Sequence, residues 1–404
     1  MKTAIEKQIV PNDYFHKISV IGGGLTGAFM MLLLKKSNLF NIHDLAWIKP
    51  KNNINTDSRT SFYNSKNLKL LKELNVLQNI SEKNITLVKE IHVFGQNTVS
   101  PLIWKPSQDG IMGAIIQNDK ILNLLNNQLK NIITYDSLVT NTKYDDFERH
   151  LYLKNKTCVK TNLVLSADGN NSNLRRLSSI NAISKNTNHI AISGFFRQSK
   201  RHNFIARQVF LKLGPIGLLP HGRKDIVNFV LSVNKNKAKK ILSSSNPEKF
   251  ICNELNTFFI DLNLTFSPLE QVENKNYKLS QWPLNLNLIL NPTANRMILL
   301  GDAAHSIHPL AGQGLNLSIE DCVSSINAIR NNIKFGSDLG DFNLMEYYKK
   351  ERLPNTLAMT AITDFLFYGF TSDSEYLQSI LSKGMQEINK SSFKNIFKKI
   401  AGSI

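Results

Sequence analysis

The sequence predicts an α/β protein that has a Rossmann-like domain with a parallel sheet, an inserted antiparallel β domain and C-terminal helices. Three observations support this prediction. A short β-branched run over residues 17–21 leads through a glycine-rich turn into an apolar, helix-like stretch over residues 28–36, which is how a βαβ unit begins. Over residues 190–233, apolar and polar residues alternate between Gly-Pro and Pro-His-Gly turns, as in an antiparallel sheet. From Leu315 onward the pattern is mainly helical.

The remaining elements follow in chain order. A second strand is predicted over residues 45–49, and apolar spacing predicts helices over residues 65–77 and 120–129. Buried-type runs predict further strands over residues 162–167 and 296–300. Because the antiparallel segment separates these strands, we expect discontinuous domains: a Rossmann-like domain (15–90, 118–185 and 286–335), an inserted domain (91–117 and 186–285) and a C-terminal helical region (336–404).

Composition and charge narrow the class of protein. The chain has 404 residues, 42% of them apolar, which is enough to fill more than one core. Its three widely spaced cysteines (Cys158, Cys252 and Cys322) favour a reducing compartment over a disulfide scaffold or a zinc ribbon. We expect no secretory signal, and the longest apolar run, residues 28–34, is far shorter than the ~20 residues of a membrane span. The net charge of +18 comes without a nucleic-acid-binding motif, so no nucleic acid partner is expected, whereas a membrane surface stays open.

The first glycine-rich turn has the spacing Gly22-x-Gly24-x-x-Gly27 between a predicted strand and a predicted helix. In dinucleotide-binding folds these glycines allow the tight turn, the approach of a pyrophosphate and close packing of helix on strand. An ordinary glycine turn is the alternative, and the motif alone does not distinguish NAD from FAD. The second strand should end in an acidic residue that binds the adenosine ribose, but Lys49 occupies that position.

Two later motifs predict the rest of the same site. Asp168-Gly169 follows a buried strand, at the strand end where ligands bind in open α/β sheets. Asp302 likewise ends a strand, where it could accept hydrogen bonds from a polyol. The glycines at 312 and 314 permit a flat ligand to approach the backbone, and the following helix would direct its positive end at an anionic ring. His305 and His308 lack a third ligand, so no metal site is predicted.

These motifs, in this order, resemble the flavoprotein aromatic hydroxylases of the para-hydroxybenzoate hydroxylase type. The segment from Gly301 to Leu317, Gly-Asp-Ala-Ala-His-x-x-His-Pro-x-Ala-Gly-Gln-Gly-x-Asn-Leu, is most similar to the ubiquinone-biosynthesis hydroxylases among them. Supporting similarities span nearly the whole chain, at residues 57–59, 112–118, 214–220, 282–284 and 393–402.

The resemblance implies a role for each motif. It makes the Rossmann-like domain an FAD-binding domain and the inserted domain a substrate domain. The FAD pyrophosphate would be held by Gly22, Gly24 and Gly27, approached by Arg59 and flanked by Asp168, with Lys49 at the adenosine ribose position. Gly301 and Asp302 would bind the ribityl chain. The isoalloxazine would be lined by Pro309, Gly312, Gln313, Gly314, Leu315 and Asn316. No catalytic side chain is expected, because the flavin performs the chemistry.

The implied reaction is aromatic hydroxylation. Reduced FAD would react with dioxygen to give a C4a-hydroperoxide, which attacks the ring of a polyprenylated ubiquinone precursor. The electron donor stays open between NAD(P)H and a separate reductase or ferredoxin, since only one dinucleotide fingerprint is present. Four phenylalanines are candidates for the substrate pocket, although core packing is the alternative for each: Phe195, Phe196, Phe210 and Phe229.

A prenylated substrate implies contact with a bilayer. Residues 393–400 have phenylalanine and isoleucine at helical spacing beside lysines, which is typical of a basic amphipathic helix on anionic lipid, or of a terminal helix packed on its own protein. We expect a cytoplasmic protein, peripheral at the inner face of the membrane, that acts within a quinone-biosynthesis complex. Three alternatives stay open: a hydroxylase of a soluble aromatic acid, a reductase of prenyl double bonds, and a non-catalytic flavoprotein-like subunit of a quinone-synthesis complex.

Overall fold

The computed structural model describes residues 13–51, 59–81, 84–96, 101–106, 110–269 and 279–372, together with residue 374. Its strands are β1 (Asp13–Ile21), β2 (Leu45–Lys49), β3 (Thr60–Asn64), β4 (Ile85–Val88), β5 (Glu90–Phe94), β6 (Leu102–Trp104), β7 (Gly113–Gln117), β8 (Ile133–Asp136), β9 (Val139–Tyr144), β10 (Arg149–Leu153), β11 (Cys158–Ser166), β12 (Ile183–Gln198), β13 (Ile205–Phe210), β14 (Pro215–Pro220), β15 (Ile226–Asn234), β16 (Phe266–Pro268), β17 (Ser280–Leu288), β18 (Thr293–Ala294), β19 (Met297–Leu299) and β20 (His305–Ser306). Its helices are α1 (Leu25–Lys36), α2 (Ser65–Glu73), α3 (Asn118–Gln128), α4 (Asn173–Leu177), α5 (Lys235–Leu242), α6 (Pro247–Phe258), α7 (Gln313–Lys334) and α8 (Phe342–Thr371).

The first sheet is the predicted parallel one. Strands β19, β11, β1, β2 and β8 lie side by side and run in the same direction. Strand β18 adds an antiparallel edge, and the hairpin β9–β10 pairs with β11. Lys49 is the last residue of β2, and the loops that carry Gly22, Asp168 and Gly301 follow parallel strands, so all four residues lie at the carboxyl edge of this sheet, where ligands bind in open α/β folds.

Helix α1 is apolar all round because it is enclosed. Every residue from 27 to 34 is buried, and the helix contacts both α3 and α7 as well as β1. A helix that buries its whole surface needs no polar face, which explains its continuous run of leucine and methionine. This packing fixes the start of α1 against the glycine turn.

The second sheet has nine strands, most of them from the segments predicted to form the inserted domain, whereas β20 comes from the predicted Rossmann-like segment 286–335. Its order is β20-β17-β12-β15-β14-β13-β5-β6, with β16 also paired to β12. The antiparallel pairings predicted for residues 190–233 are confirmed in β12, β13, β14 and β15. One pairing differs, because β5 and β13 are parallel. These two strands are distant in sequence, so turn signals around either one could not show their direction.

A third, small sheet connects the two larger ones. Strand β7 pairs in antiparallel fashion with both β3 and β4. Strand β7 therefore pairs with strands of the predicted FAD-binding segment and not with the nine-stranded sheet, although residues 91–117 were assigned to the substrate domain. The predicted domain boundaries as a whole stay a prediction. The predicted amphipathic segment at residues 393–400 lies outside the described residues, and within the described chain no helix is both long and apolar enough to cross a bilayer.

Candidate cofactor and substrate site

The glycine turn between β1 and α1 has glycines of two kinds. A Cβ on Gly22, whose φ is +117°, would lie 2.2 Å from the carbonyl oxygen of Ala167, and a Cβ on Gly27 would lie 2.1 Å from that of Gly22. These two glycines are required by the packing of the protein itself. A Cβ on Gly24 would meet no heavy atom within 4 Å, so the protein leaves open space at this position.

The start of α1, next to this open space, has no capping side chain. Gly24 is the N-cap residue, no side chain caps the helix, and its first turn contains no acidic residue. The unpaired N–H groups of that turn and the positive end of the helix dipole therefore face the open space beside Gly24. This arrangement suits a phosphate group.

Lys49 ends β2 as predicted, but its side chain contacts the protein. Its Nζ lies 3.6 Å from the centre of the Trp47 ring and 3.5 Å from Oδ1 of Asn126. Partial burial lowers the pKa of Lys49, and the carboxylate of Asp136, its neighbour in register on β8, opposes that shift. Lys49 does not line either of the two cavities described below.

Asp168 both caps a helix and lines a cavity. Its Oδ2 accepts hydrogen bonds from the amides of Asn173 (2.8 Å) and Leu174 (3.2 Å), and its Oδ1 accepts one from Ser166 (2.7 Å). The carboxylate also borders a cavity of about 480 Å³ at the carboxyl edge of the parallel sheet, which Gly22 lines as well.

Arg175, in the same motif, has a structural function. Its Nη1 donates to the carbonyl of Ala303 (3.0 Å) and its Nη2 to that of Asn170 (2.9 Å). The guanidinium is buried and tied to backbone oxygens, so its bonds join the motif at Asp168 to the loop after β19.

Asp302 faces a second cavity, of about 400 Å³, between the parallel and the nine-stranded sheets. Its side chain is accessible from that cavity, and no described residue donates a hydrogen bond to its carboxylate. Because protein surrounds the cavity, desolvation raises the pKa of Asp302, against the opposing charges of His305 and Arg59. Arg59 lines the same cavity, with its guanidinium carbon 5.6 Å from the centre of the Trp282 ring.

The floor of this cavity contains most of the predicted ring-binding residues: Pro309, Gly312, Gly314 and Leu315 line it together with Asp302. A Cβ on Gly314 would meet no heavy atom within 4 Å. Gly312 is the N-cap residue of α7 with φ +65°, and no side chain caps that helix. The positive end of the α7 helix dipole therefore faces the same region.

Gln313 and Asn316 lie behind the floor, since both are buried and neither lines the cavity. The Asn316 amide donates to the carbonyl of Phe62 (2.8 Å) and accepts from the amide of Asn64 (3.0 Å) and from Nδ2 of Asn67 (2.9 Å). Asn316 thus fastens the start of α7 to β3 and α2. Its side chain supports the floor from below.

The roof of the cavity comes from the nine-stranded sheet, and the residues that line it include Ser193, Arg207, Gln208, Gly217, Leu219, Asn228 and Val230. Asn228 accepts a hydrogen bond from Thr60 (3.1 Å) and donates to the carbonyl of Gly194 (2.9 Å), which joins the roof to β3. None of the four phenylalanines proposed for the pocket lines it. Because residues alternate along a strand, Phe229 faces away from the cavity that Asn228 and Val230 face, and it stacks on Phe196 at 4.0 Å in the core.

A buried polar network under the Asp302 turn was missed by sequence reasoning. Asp321, on α7, is fully buried and accepts hydrogen bonds from the amide of Gly301 (2.9 Å), Nε2 of His305 (2.6 Å) and Nε of Arg352 (2.7 Å). The available signal was an aspartate on the apolar face of a predicted helix, a position that demands a partner.

His305 and His308 are not directed at a common ligand. His305 is bonded to Asp321, whereas the His308 ring stacks on Phe367 with 3.7 Å between centres. Burial, with the charges of His189 and Lys185, lowers the pKa of His308 to about 3. Among the described residues, no group of three or more His, Cys, Asp or Glu side chains could hold a metal ion.

Comparison with known proteins gives this site its class. A family model described as FAD binding domain matches residues 16–363. The ubiquinone biosynthesis monooxygenase COQ6 (mitochondrial) of Dictyostelium discoideum is 25% identical to this chain, covering 96% of it and 91% of the relative, and the human protein of the same name is also 25% identical, covering 93% and 90%. The crystal structure of PqsL, a probable FAD-dependent monooxygenase from Pseudomonas aeruginosa, matches with a TM-score of 0.73 at 17% identity, covering 92% of this chain and 100% of that one.

The chain therefore belongs to the FAD binding domain family, and with the COQ6 relatives it is an FAD-dependent monooxygenase, whereas the similarity to PqsL shows a shared fold. Its similarity to the two COQ6 relatives, over most of the length of both chains, agrees with the resemblance to the ubiquinone-biosynthesis hydroxylases seen in the sequence. The residues present suit FAD on independent grounds. Among the described residues, no atom occupies the space beside Gly24 and Gly314, no side chain caps the two helices that begin there, and none donates a hydrogen bond to the Asp302 carboxylate at the cavity between the sheets.

Proposed function

We propose that the protein hydroxylates the aromatic ring of a polyprenylated ubiquinone precursor. The observation that carries the proposal is the 400 Å³ cavity, which joins Asp302 and the start of α7 to a roof of mainly neutral side chains, in a chain of this family. An uncharged aromatic ring fits between such a roof and a flat cofactor.

We assign the residues around FAD as follows. The pyrophosphate binds the free N–H groups at the start of α1, beside Gly24, with Gly22 and Gly27 shaping the turn. Arg59 approaches the pyrophosphate and Asp168 lies near it, while Gly301 and Asp302 hold the ribityl chain. Pro309, Gly312, Gly314 and Leu315 would line the isoalloxazine, with only the backbone contributing at Gln313 and Asn316. Lys49 lies near the adenosine end.

Bound FAD, once reduced, supplies the electrons that activate dioxygen. In the overall reaction a ring C–H becomes C–OH, one oxygen atom enters the ring and the other leaves as water. The donor supplies two electrons, and the two protons come from NAD(P)H and solvent or, with a ferredoxin, from solvent alone. The protein orients the ring and excludes bulk water by enclosing it between the two sheets. The positive end of the α7 helix dipole would stabilise negative charge on reduced FAD bound in the cavity.

The electrons come from NAD(P)H or from a separate reductase or ferredoxin. The prenyl tail of the substrate stays in a bilayer, so we place the protein at the inner face of the membrane, as a peripheral protein within a quinone-biosynthesis complex. Its basic charge, +18 overall, favours an anionic surface. The two COQ6 relatives carry ubiquinone biosynthesis in their names, which supports the proposed pathway.

The decisive experiment is deletion of the gene followed by mass spectrometry of the quinone pool. We expect a prenylated intermediate that lacks one hydroxyl group to accumulate, and its structure names the ring position. Re-expressing the intact protein should restore the pool. Re-expressing the Gly314→Val variant should not, because the added side chain occupies the space left for the cofactor. A normal quinone pool after deletion, or turnover of a soluble aromatic acid by the purified protein, would contradict the proposal.

A further inference from the structure

We propose that Asp321 is a positioning residue for FAD: its carboxylate holds the Gly301 turn and His305 so that Asp302 is directed into the cavity. The inference rests on the proposed assignment of Asp302 to the cofactor. It adds a residue that lies outside every motif and lines neither cavity.

The first observation is that Asp302 has no partner that could direct it. No described residue donates a hydrogen bond to its carboxylate, and the side chain is accessible from the cavity. Its direction must therefore come from the backbone turn on which it sits. That turn begins at Gly301, whose φ is +56°, in the left-handed region that glycine adopts readily.

The second observation is that one oxygen of Asp321 holds this turn at two points. Oδ2 accepts the amide hydrogen of Gly301 at 2.9 Å and the Nε2 hydrogen of His305 at 2.6 Å. The two donors flank Asp302 in sequence. Because both end on a single buried oxygen atom, the backbone between them cannot rotate without breaking a charge-assisted hydrogen bond.

The other oxygen faces the opposite way. Oδ1 accepts from Nε of Arg352 at 2.7 Å, and Arg352 also contacts Glu320 at 3.1 Å and the carbonyl of Leu317 at 3.3 Å. This outer arm joins α7 to α8 and does not touch the Asp302 turn. Oδ2 therefore positions the Asp302 turn, whereas Oδ1 stabilises the contact between α7 and α8. Because the two contacts use different atoms, a substitution at Arg352 can break the second and leave the first intact.

Because Asp321 is buried, its carboxylate needs all three of its hydrogen-bond donors. Desolvation alone would raise the pKa of the Asp321 carboxyl, but His305 and Arg352 oppose it through charge and hydrogen bonds and hold the pKa at about 2. The carboxylate is therefore charged at neutral pH. An asparagine of nearly the same shape would keep one acceptor oxygen but could not accept both inner hydrogen bonds and the outer one.

The test compares four purified proteins after removal and re-addition of FAD: the unchanged chain, Asp321→Asn, Arg352→Lys and Asp302→Asn. FAD affinity is measured by quenching of flavin fluorescence, and the flavin midpoint potential by dye equilibration. Circular dichroism of each FAD-free protein checks that it is folded. We expect Asp321→Asn to weaken FAD binding at least tenfold and to shift the potential, as Asp302→Asn does. Arg352→Lys, which keeps the charge and breaks the outer arm, should bind FAD within twofold of the unchanged chain although it is less stable.

Two outcomes overturn the inference. One is unaltered FAD affinity in folded Asp321→Asn when Asp302→Asn has lost it, because Asp302 would then need no help from Asp321. The other is an equal loss of affinity in Arg352→Lys, which would make the whole network a stabilising one. If Asp302→Asn itself binds FAD normally, the proposed assignment of Asp302 fails instead, and the two failures are distinguishable.

Discussion

Asp302 and Asp321 lie on opposite sides of one turn, and their surroundings differ in every respect. Asp302 is accessible from the cavity, has no hydrogen-bond donor among the described residues, and has its pKa raised by desolvation. Asp321 is fully buried, accepts three hydrogen bonds, and has its pKa held at about 2 by His305 and Arg352.

The difference separates residues that serve a ligand from residues that serve the fold. A carboxylate with no protein partner destabilises the chain that carries it, so its persistence suggests that it binds something else. A carboxylate with its lone pairs occupied has no capacity left for a ligand. The glycines divide in the same way, since Gly22 and Gly27 are required by nearby backbone whereas Gly24 and Gly314 face open space.

The largest expected effect is a loss of stability when Asp321, the carboxylate that stabilises the fold, is substituted. Replacing Asp321 with asparagine leaves Arg352 without its buried counter-charge, and we expect the free energy of unfolding at pH 7 to fall by about 3–5 kcal/mol. Because the folded-state pKa of Asp321 is below its unfolded value, its contribution is fully present above pH ~4 and is lost as the pH falls towards 2. Urea unfolding of both FAD-free proteins at pH 7, 5 and 3 should show a difference that persists at pH 5 and shrinks at pH 3. A difference independent of pH would mean that the charge of Asp321 is not what stabilises the network.

The next largest effect should be a loss of FAD affinity when Asp302, the carboxylate at the cavity, is substituted. We expect Asp302→Asn to weaken FAD binding about 10- to 100-fold, since hydrogen bonds to a charged group contribute roughly 1.5–3 kcal/mol. The FAD-free variant should nevertheless be slightly more stable at pH 7. The raised pKa of Asp302 means that ionisation disfavours the folded state, so stability declines as the pH rises through the ordinary carboxyl value. Thermal unfolding of the FAD-free proteins at pH 7 and pH 3.5 checks the sign, and the gain should be largely gone at the lower pH. An Asp302→Asn variant that is less stable at pH 7 would show that this carboxylate also has a structural partner.

The smallest effect concerns Lys49, which the sequence placed at the cofactor and which contacts Trp47 and Asn126. For Lys49→Met we expect a loss of about 0.5–1 kcal/mol in stability, from the missing cation–π contact. FAD affinity should stay within about threefold, because a substitution of a surface residue that does not contact the ligand changes a free energy by only ~0.5 kcal/mol. Fluorescence titration with FAD measures it. A tenfold loss of affinity would move Lys49 to the ligand side of the comparison.

Sequence patterns predicted the parts of the fold that depend on local spacing. The strand at residues 45–49 agrees in both bounds with β2, and the turn at Gly22 lies between β1 and α1 as expected. The parallel pairing of β5 with β13 and the separate sheet of β3, β4 and β7 were not predicted, because such contacts join segments distant in the chain. The site divided likewise. Motifs identified Asp302 and Gly314, which face the cavity, but Asp321 and Arg352 belong to no motif and become visible only when α7 and α8 pack together.

The contacts of Asn316 constrain the order in which parts of the cavity can form while the chain is being synthesised. Its side chain bonds β3 and α2 from a position more than three-quarters of the way along the chain. The segments that meet at this amide, β3 with α2 and the start of α7, are about 250 residues apart in the chain. Contacts between such distant segments carry a high entropic cost of loop closure. A nascent chain emerging from the ribosome therefore contains the glycine turn between β1 and α1 long before it contains the start of α7, and no fragment that stops short of α7 contains both.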